Sequence, residues 1–459
     1  MIGHDSWSYR PYSPLLFETG DIYICRLAPF EDGAKFEWLP VGGEKSIFCR
    51  EKGKGEFVLA GKTDADEFEI KGLKEGADYE FYVEANGKKS RVRLFRTGKP
   101  LGTVVNYLHP EDNAYVFSGK YLCSPSFVRM PSGALVASMD LYEHDYPQNL
   151  TLIYISYDNG KTWKYQCDMM PCFWGKLFVH KGVLYMLATS TEYGDLLIGA
   201  SYDEGRTWTA PKSILRGSNG KAGEVGVHKN PENIVRYNGR LYFTIEWGSW
   251  PNKEYCHAPM IFSVSEDADL LDPTVWHFTP PVKYNKNWPG TAPDGDKGNI
   301  EGTLVFGKDG KLYSLMRYTT SEKKIIAYRV NTSDPDAPLE FDRVINFPAN
   351  LSKFIIEYDE KSDTYYSIAS LRLDEPKTQR NLLALLSSRD LDHWEVVTPL
   401  IDKRYEDPQK VGFQYVDFFI EGDDILYLCR TAYNGAHSFH DSNYSTFHII
   451  KNFRDLIKK

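Results

Sequence analysis

Ser156-Tyr-Asp-Asn-Gly-Lys-Thr-Trp163 returns almost unchanged as Ser201-Tyr-Asp-Glu-Gly-Arg-Thr-Trp208, a self-similarity with a period of about 45 residues. Each copy follows a β-type run, Leu150 to Ile155 and Leu196 to Ala200, and ends in a turn rich in Asp, Asn and Gly. Such a turn reverses a hairpin: the Asp158 or Asp203 carboxylate accepts backbone N–H bonds, and Gly160 or Gly205 supplies a positive φ. The closing Trp163 or Trp208 is then placed to plug the apolar underside of the hairpin. The motif is structural punctuation, and hairpins recurring at this period mark the four-stranded blades of a β-propeller.

Cutting the chain at that period yields six units, each with an inner run, a turn, a second run, a loop, a third run and an outer run. The inner runs begin near Ser124, Lys176, Asn230, Glu301, Lys353 and Gln414. A worn copy of the hairpin, Ser388-Arg-Asp-Leu-Asp-His-Trp394, falls in the fifth unit. The sixth unit lacks its outer run, and Thr103-Val-Val-Asn-Tyr-Leu108 is left over at the start to supply it, closing the ring without an open sheet edge. Before it, seven short alternating runs from Ile22 to Arg96 predict a small sandwich. The fold expected is all-β, with a β-sandwich over 1–99 and a six-bladed propeller over 100–459. Leu73-Lys-Glu-Gly-Ala-Asp-Tyr79 resembles the tyrosine corner of fibronectin type III modules, which implies a bracing rather than a catalytic role for the first part.

The net charge of −9 over 459 residues argues against a duplex nucleic acid partner, whose phosphates need a basic face. No apolar run approaches the roughly 20 residues of a membrane-spanning helix. The start lacks the basic and apolar regions of a signal peptide, so a cytoplasmic product is expected. Seven scattered cysteines form no metal-ligand spacing and read as reduced, buried thiols. No Gly-rich phosphate loop or full ligand set is present, so neither metal nor organic cofactor is expected.

In a propeller the residues opening each inner run and the loops after each second run share one face, where chemistry gathers. That register selects His228, Glu232, Glu301, Lys353, Tyr415 and Asp417 from the inner runs. From the ends of the second runs and the loops beyond them it selects Asp145, Trp247, Arg317, Arg380, Arg430, His437, His440 and Asp441. The turns on the other face hold ordinary turn residues.

Two hairpin motifs, six units and the stretch Asn299-Ile-Glu301-Gly-Thr-Leu-Val-Phe-Gly-Lys-Asp-Gly-Lys-Leu-Tyr-Ser-Leu-Met-Arg317 resemble the sialidase superfamily of glycoside hydrolases over roughly residues 100–455. The resemblance implies that Glu301 activates a tyrosine nucleophile, that Arg317 and Arg380 clamp a substrate carboxylate, and that Asp145 is the general acid. Two positions depart from the family pattern. Cys123-Ser-Pro125 stands where the first clamp arginine is expected, and Gly412-Phe413-Gln-Tyr415 places Phe at the aligned nucleophile position with Tyr two residues on. The expectation is therefore a clamp of two arginines.

His228, Glu232 and Trp247 bring imidazole, acid and aromatic face together in the third unit, and His437, His440 and Asp441 form a polar loop suited to binding sugar hydroxyls or moving a proton. The function expected is hydrolysis of a terminal sugar, acidic or neutral, from a carbohydrate substrate, a glycan or oligosaccharide. The rivals are a lyase in which His228, His437 or His440 acts with Tyr415 next to a uronate, and a carbohydrate-binding propeller without catalysis.

Overall fold

The computed structural model of the protein describes residues 6–10, 22–218, 223–252 and 254–457. Alternating apolar runs separated by turns become strands throughout, and six antiparallel sheets form a propeller whose inner strands surround one axis. The first blade runs from Tyr121–Arg129 out to Lys164–Met169, the second from Phe173–His180 to Lys212–Leu215, and the fourth from Asn299–Phe306 to Glu340–Asn346. Thr103–Tyr107 pairs with Tyr444–Ile450 and completes the sixth blade, so the ring closes with strands from both ends of the propeller sequence.

Both hairpin motifs take the expected geometry. Asp158 Oδ1 accepts from Thr162 N at 2.8 Å, and Gly160 N donates to Ser156 Oγ at 2.8 Å with Gly160 at φ +81°. Ser201, Asp203, Gly205 and Thr207 repeat these bonds. Trp163 and Trp208 are buried beneath them, the first in a core shared by the sixth and first blades and the second between the first two blades.

Four inner strands carry a bulge near the same end: the register slips between Cys123 and Ser126, Phe173 and Lys176, Ile300 and Gly302, and Gln414 and Asp417. Ser124, Trp174, Glu301 and Tyr415 sit on these bulges with positive φ (37°, 51°, 57° and 54°). An extra residue in one strand re-aims a side chain that a regular pleat would send into the sheet. The left-handed backbone costs each of these residues on the order of 1–3 kcal/mol.

The remaining inner strands are interrupted, which corrects the expected run from Asn230. In the third blade Gly226–His228 and Val235–Tyr237 pair separately with Arg240–Gly248. Between them Lys229 and Glu232 turn into the axis, fully buried, with Nζ and Oε2 at 3.6 Å. In the fifth blade only Glu357–Asp359 pairs as inner strand.

The seven sandwich runs form two sheets, Ile24–Phe30 with Gly33–Trp38 and Glu67–Ile70, and Val58–Thr63 with Lys45–Glu51, Asp78–Ala85 and the short strands beyond it. Tyr79 Oη accepts from Lys74 N at 3.0 Å. The sandwich reading does not hold for residues 6–10. Ser8–Tyr9 pairs with Lys164–Met169 as a fifth strand of the first blade, because the wholly buried Trp7 fills a core of the first two blades, its Nε1 donating to Pro171 O at 2.7 Å. Of the seven cysteines, six are buried and Cys256 is half-buried, all as free thiols. No helix of the described residues is long and apolar enough to cross a membrane.

Candidate active site

A cavity of about 180 Å³ opens where the bulged ends of the inner strands converge, lined among others by Trp174, His228, Glu301, Arg317, Tyr415 and Arg430. Its centre is a tyrosine–carboxylate pair. Tyr415 Oη donates to Glu301 Oε1, and Arg317 Nη1 donates to Glu301 Oε2 at 2.7 Å. The bulge explains why Tyr415 rather than Phe413 reaches the cavity. The one-residue slip between Gln414 and Asp417 lifts Tyr415 out of the pleat, while Phe413 stays in the sheet opposite Thr431, packed in the core between the fifth and sixth blades.

Burial works against the Glu301 charge, but Arg317, His228 and the bond from Tyr415 outweigh it and hold the carboxyl below the usual range. Burial and the Glu301 charge push the Tyr415 phenol up, so it keeps its proton at neutral pH. The pair is a neutral phenol poised on an ionised base.

Three guanidinium groups surround it, where two were expected. Arg380 lies 5.9 Å from the Tyr415 ring centroid, its Nη1 donating to Gln414 and its Nε to Leu351 O at 3.2 Å. Arg430 lies 5.1 Å from the same centroid. It comes from the second strand of the sixth blade and crosses to the first, where Nη1 meets Cys123 Sγ at 3.0 Å. Cys123 thus leaves room at the departure from the family pattern, and an arginine from the neighbouring blade fills it. Burial and then the like charge of Arg317 bring the Arg380 guanidinium down to about 10. Thiol sulfur is a weak acceptor, and Arg430 Nε is buried with no hydrogen-bond partner.

The opposite wall is aromatic. Trp174 meets the His228 ring edge-on at 4.3 Å between centroids, and His257 packs at 4.5 Å. His228 Nδ1 bonds to the wholly buried Glu246, whose other oxygen accepts from Gly302 N at 3.3 Å, next to Glu301. His257 Nε2 bonds to Tyr193 Oη at 3.0 Å, and burial holds this ring well below the usual imidazole range, hence neutral.

Other expected residues fall elsewhere. Asp145, the expected acid, does not line the cavity: its side chain is 91% exposed and meets His144 at 3.1 Å. A polar loop tip finds water cheaper than burial. Glu232, Lys353 and Asp417 lie along the axis and outside the cavity lining. Lys353 Nζ donates to Val416 O at 2.8 Å and burial brings it down to about 7, while Asp417 pairs with Lys176 at 2.8 Å. The contacts of Lys353 and Asp417 tie blades together, whereas both Glu232 carboxylate oxygens are buried without a hydrogen-bond partner. Trp247 is half-buried against the core between the second and third blades. His440 lines the rim, bonded through Nδ1 to Asp441 at 2.9 Å, and Asp441 also holds the more exposed His437 at 2.7 Å. Burial and then the Arg430 charge push the His440 imidazole down to about 4. Sequence reasoning did not single out Tyr142, Tyr193 and His257, whose only signal is position at the end of a second strand or in the loops flanking the second and third strands.

The sequence matches no protein-family model and no curated protein. Solved structures share the fold. The alpha-L-arabinanase of Penicillium chrysogenum, complexed with arabinobiose, is 16% identical with a TM-score of 0.50, covering 77% of this chain and 98% of its own. A mutant form of an alpha-L-arabinofuranosidase of Fusarium graminearum, in complex with an iminosugar inhibitor, is 15% identical with a TM-score of 0.50 and the same coverage. The leech intramolecular trans-sialidase, complexed with 2,7-anhydro-Neu5Ac, is 10% identical with a TM-score of 0.51, covering 95% of this chain and 92% of its own. At these identities the likeness is one of architecture.

Proposed function

We infer that this chain is a glycoside hydrolase acting on a sugar that carries a carboxylate. The observation that carries the reading is the Tyr415–Glu301 pair enclosed by Arg317, Arg380 and Arg430. Three cations crowded around one nucleophile call for an anion. A substrate carboxylate offers Arg430 charge-assisted bonds in place of its contact with a thiol. An anionic nucleophile beside that carboxylate would be repelled, whereas a neutral phenol is not. Tyr415 Oη attacks the anomeric carbon as Glu301 takes its proton, and the departing oxygen needs an acid on the far side. The fold neighbours complexed with arabinobiose, an iminosugar inhibitor and 2,7-anhydro-Neu5Ac lend support to a carbohydrate substrate.

A second reading, a lyase acting next to a uronate, draws on the same tyrosine with two imidazoles, His228 and His440, at the cavity. A panel of acidic and neutral aryl glycosides and uronate oligosaccharides separates them. Hydrolysis releases the aglycone without an ultraviolet-absorbing unsaturated sugar, and Tyr415→Phe is expected to lower kcat by about 10³-fold. Full turnover by Tyr415→Phe, or an unsaturated product, would rule the hydrolase reading out. Binding without turnover on every glycan would leave a lectin.

A further inference from the structure

We propose that His228, oriented by Glu246, is the group that hands a proton to the leaving glycosidic oxygen and later takes one from the incoming water. The inference rests on the glycosidase reading and supplies the acid that Asp145 does not provide. Four observations carry it. His228 lines the same cavity as Tyr415 and Glu301. Its Nδ1 is engaged by a carboxylate with no exposure of its own, which fixes the tautomer and the ring plane. Among the described residues Nε2 makes no hydrogen bond, so the nitrogen available for proton transfer is the free one. Finally, Trp174 and His257 hold the ring from two sides, the arrangement of a base positioned by a third group.

The steps balance. Tyr415 Oη bonds to the anomeric carbon while the C–O bond to the leaving group breaks; Glu301 receives the phenol proton, and the His228 Nε2 proton goes to the leaving oxygen. In the second half water attacks the same carbon as its bond to Tyr415 Oη breaks, His228 Nε2 takes a water proton, and Glu301 returns its proton to the departing Tyr415 Oη. Glu246 is a positioning residue. The charged and titratable groups around the imidazole are Glu246 on Nδ1, Glu301 with its partner Arg317 across the cavity, Arg380 and Arg430 in the same cavity lining, and the neutral His257 with Tyr193 behind it. Glu192 also lines the cavity and is the competing acid.

Leaving-group dependence tests the assignment. His228→Asn, Glu192→Gln and the parent protein are compared on one acidic sugar joined either to an alkyl alcohol or to 2,4-dinitrophenol, which departs without protonation. His228→Asn is expected to lose about 10²–10⁴-fold on the alkyl glycoside and less than about tenfold in the first half-reaction on the dinitrophenyl one. Azide, which needs no base, is expected to restore steady turnover with a glycosyl azide as product. Glu246→Gln keeps the imidazole and its packing. Removing the adjacent negative charge disfavours the imidazolium, so the alkaline limb of its pH profile is expected at lower pH than in the parent. Equal losses on both substrates with an unmoved pH profile in Glu246→Gln would reduce His228 to a structural residue while leaving the glycosidase reading intact. The leaving-group signature appearing in Glu192→Gln instead would transfer the role to that carboxyl. If the parent turns over neither substrate of a full acidic-sugar panel, the glycosidase reading fails and this inference falls with it.

Discussion

At the scale of single residues, Arg430 shows how far strand position alone carries. The blade register located Glu301, Arg317 and Arg380 because each stands at a predictable point on its own blade. Arg430 is legible as a residue of the working face, but not as a third guanidinium beside Tyr415, since that depends on a side chain crossing to the Cys123 strand of the next blade. Asp145 shows the converse: a loop after a second strand has the right address, yet its tip points into solvent, outside the cavity lining. Arg430→Met is expected to lower kcat/KM by about tenfold to a hundredfold on carboxylate-bearing substrates, the worth of a charged hydrogen bond. Neutral analogues of the same sugar should be little affected, and a uniform loss across both would count against a clamp. The ionised Glu301 also makes a pH prediction. Arg317 is the foremost of the groups that overcome burial and hold this carboxyl low, so the acid limb of kcat/KM belongs below the usual carboxylate range. Arg317→Met removes the cation, raises the Glu301 pKa and moves that limb to higher pH; a limb that stays put would mean that another group sets it.

At the scale of the element, the bulge and the hairpin divide the labour. Ser-x-Asp-x-Gly spacing betrays the hairpin because each of its bonds is local, so the motif was readable with its geometry. The bulges at Ser124, Trp174, Glu301 and Tyr415 leave no local signal, since Ser, Trp, Glu and Tyr are not residues that favour positive φ. What pins them is tertiary, as in the bonds that tie Glu301 to Tyr415 and Arg317. The hairpin glycines offer a graded test. A Cβ on Gly160 would collide with the Phe447 ring, whereas one on Gly133, also at positive φ, meets nothing within 4 Å. Gly133→Ala is expected to cost about 1 kcal/mol from backbone strain alone. Gly160→Ala adds overpacking of about 1–3 kcal/mol, and urea midpoints of the two variants measure the difference. Equal midpoints would show that Phe447 yields freely and that the close approach under the hairpin is not a constraint.

At the scale of the whole molecule, the sandwich is bracketed by two segments that belong to the propeller: Ser8–Tyr9 beside the first blade and Thr103–Tyr107 completing the sixth. The closing strand was readable because a blade was short by one run and a run was left over. The early strand was not, since two paired residues around one buried Trp carry no periodicity. The contact between the two parts runs deep. Tyr23 and Cys25 share a core with Leu152 and Tyr154, and the buried Arg26 guanidinium donates to the carbonyls of Val104 and Val105 at 2.8 Å each. A carbonyl left without a partner in that setting costs about 1–3 kcal/mol, so the sandwich and the ring closure stand or fall together. A single calorimetric transition is expected, with equal calorimetric and van't Hoff enthalpies. Arg26→Met should lower the midpoint and, in hydrogen exchange, release protection first at residues 103–107. Two resolved transitions in the parent protein, or protection at 103–107 unchanged in the variant, would show instead that the ring closes without help from the sandwich.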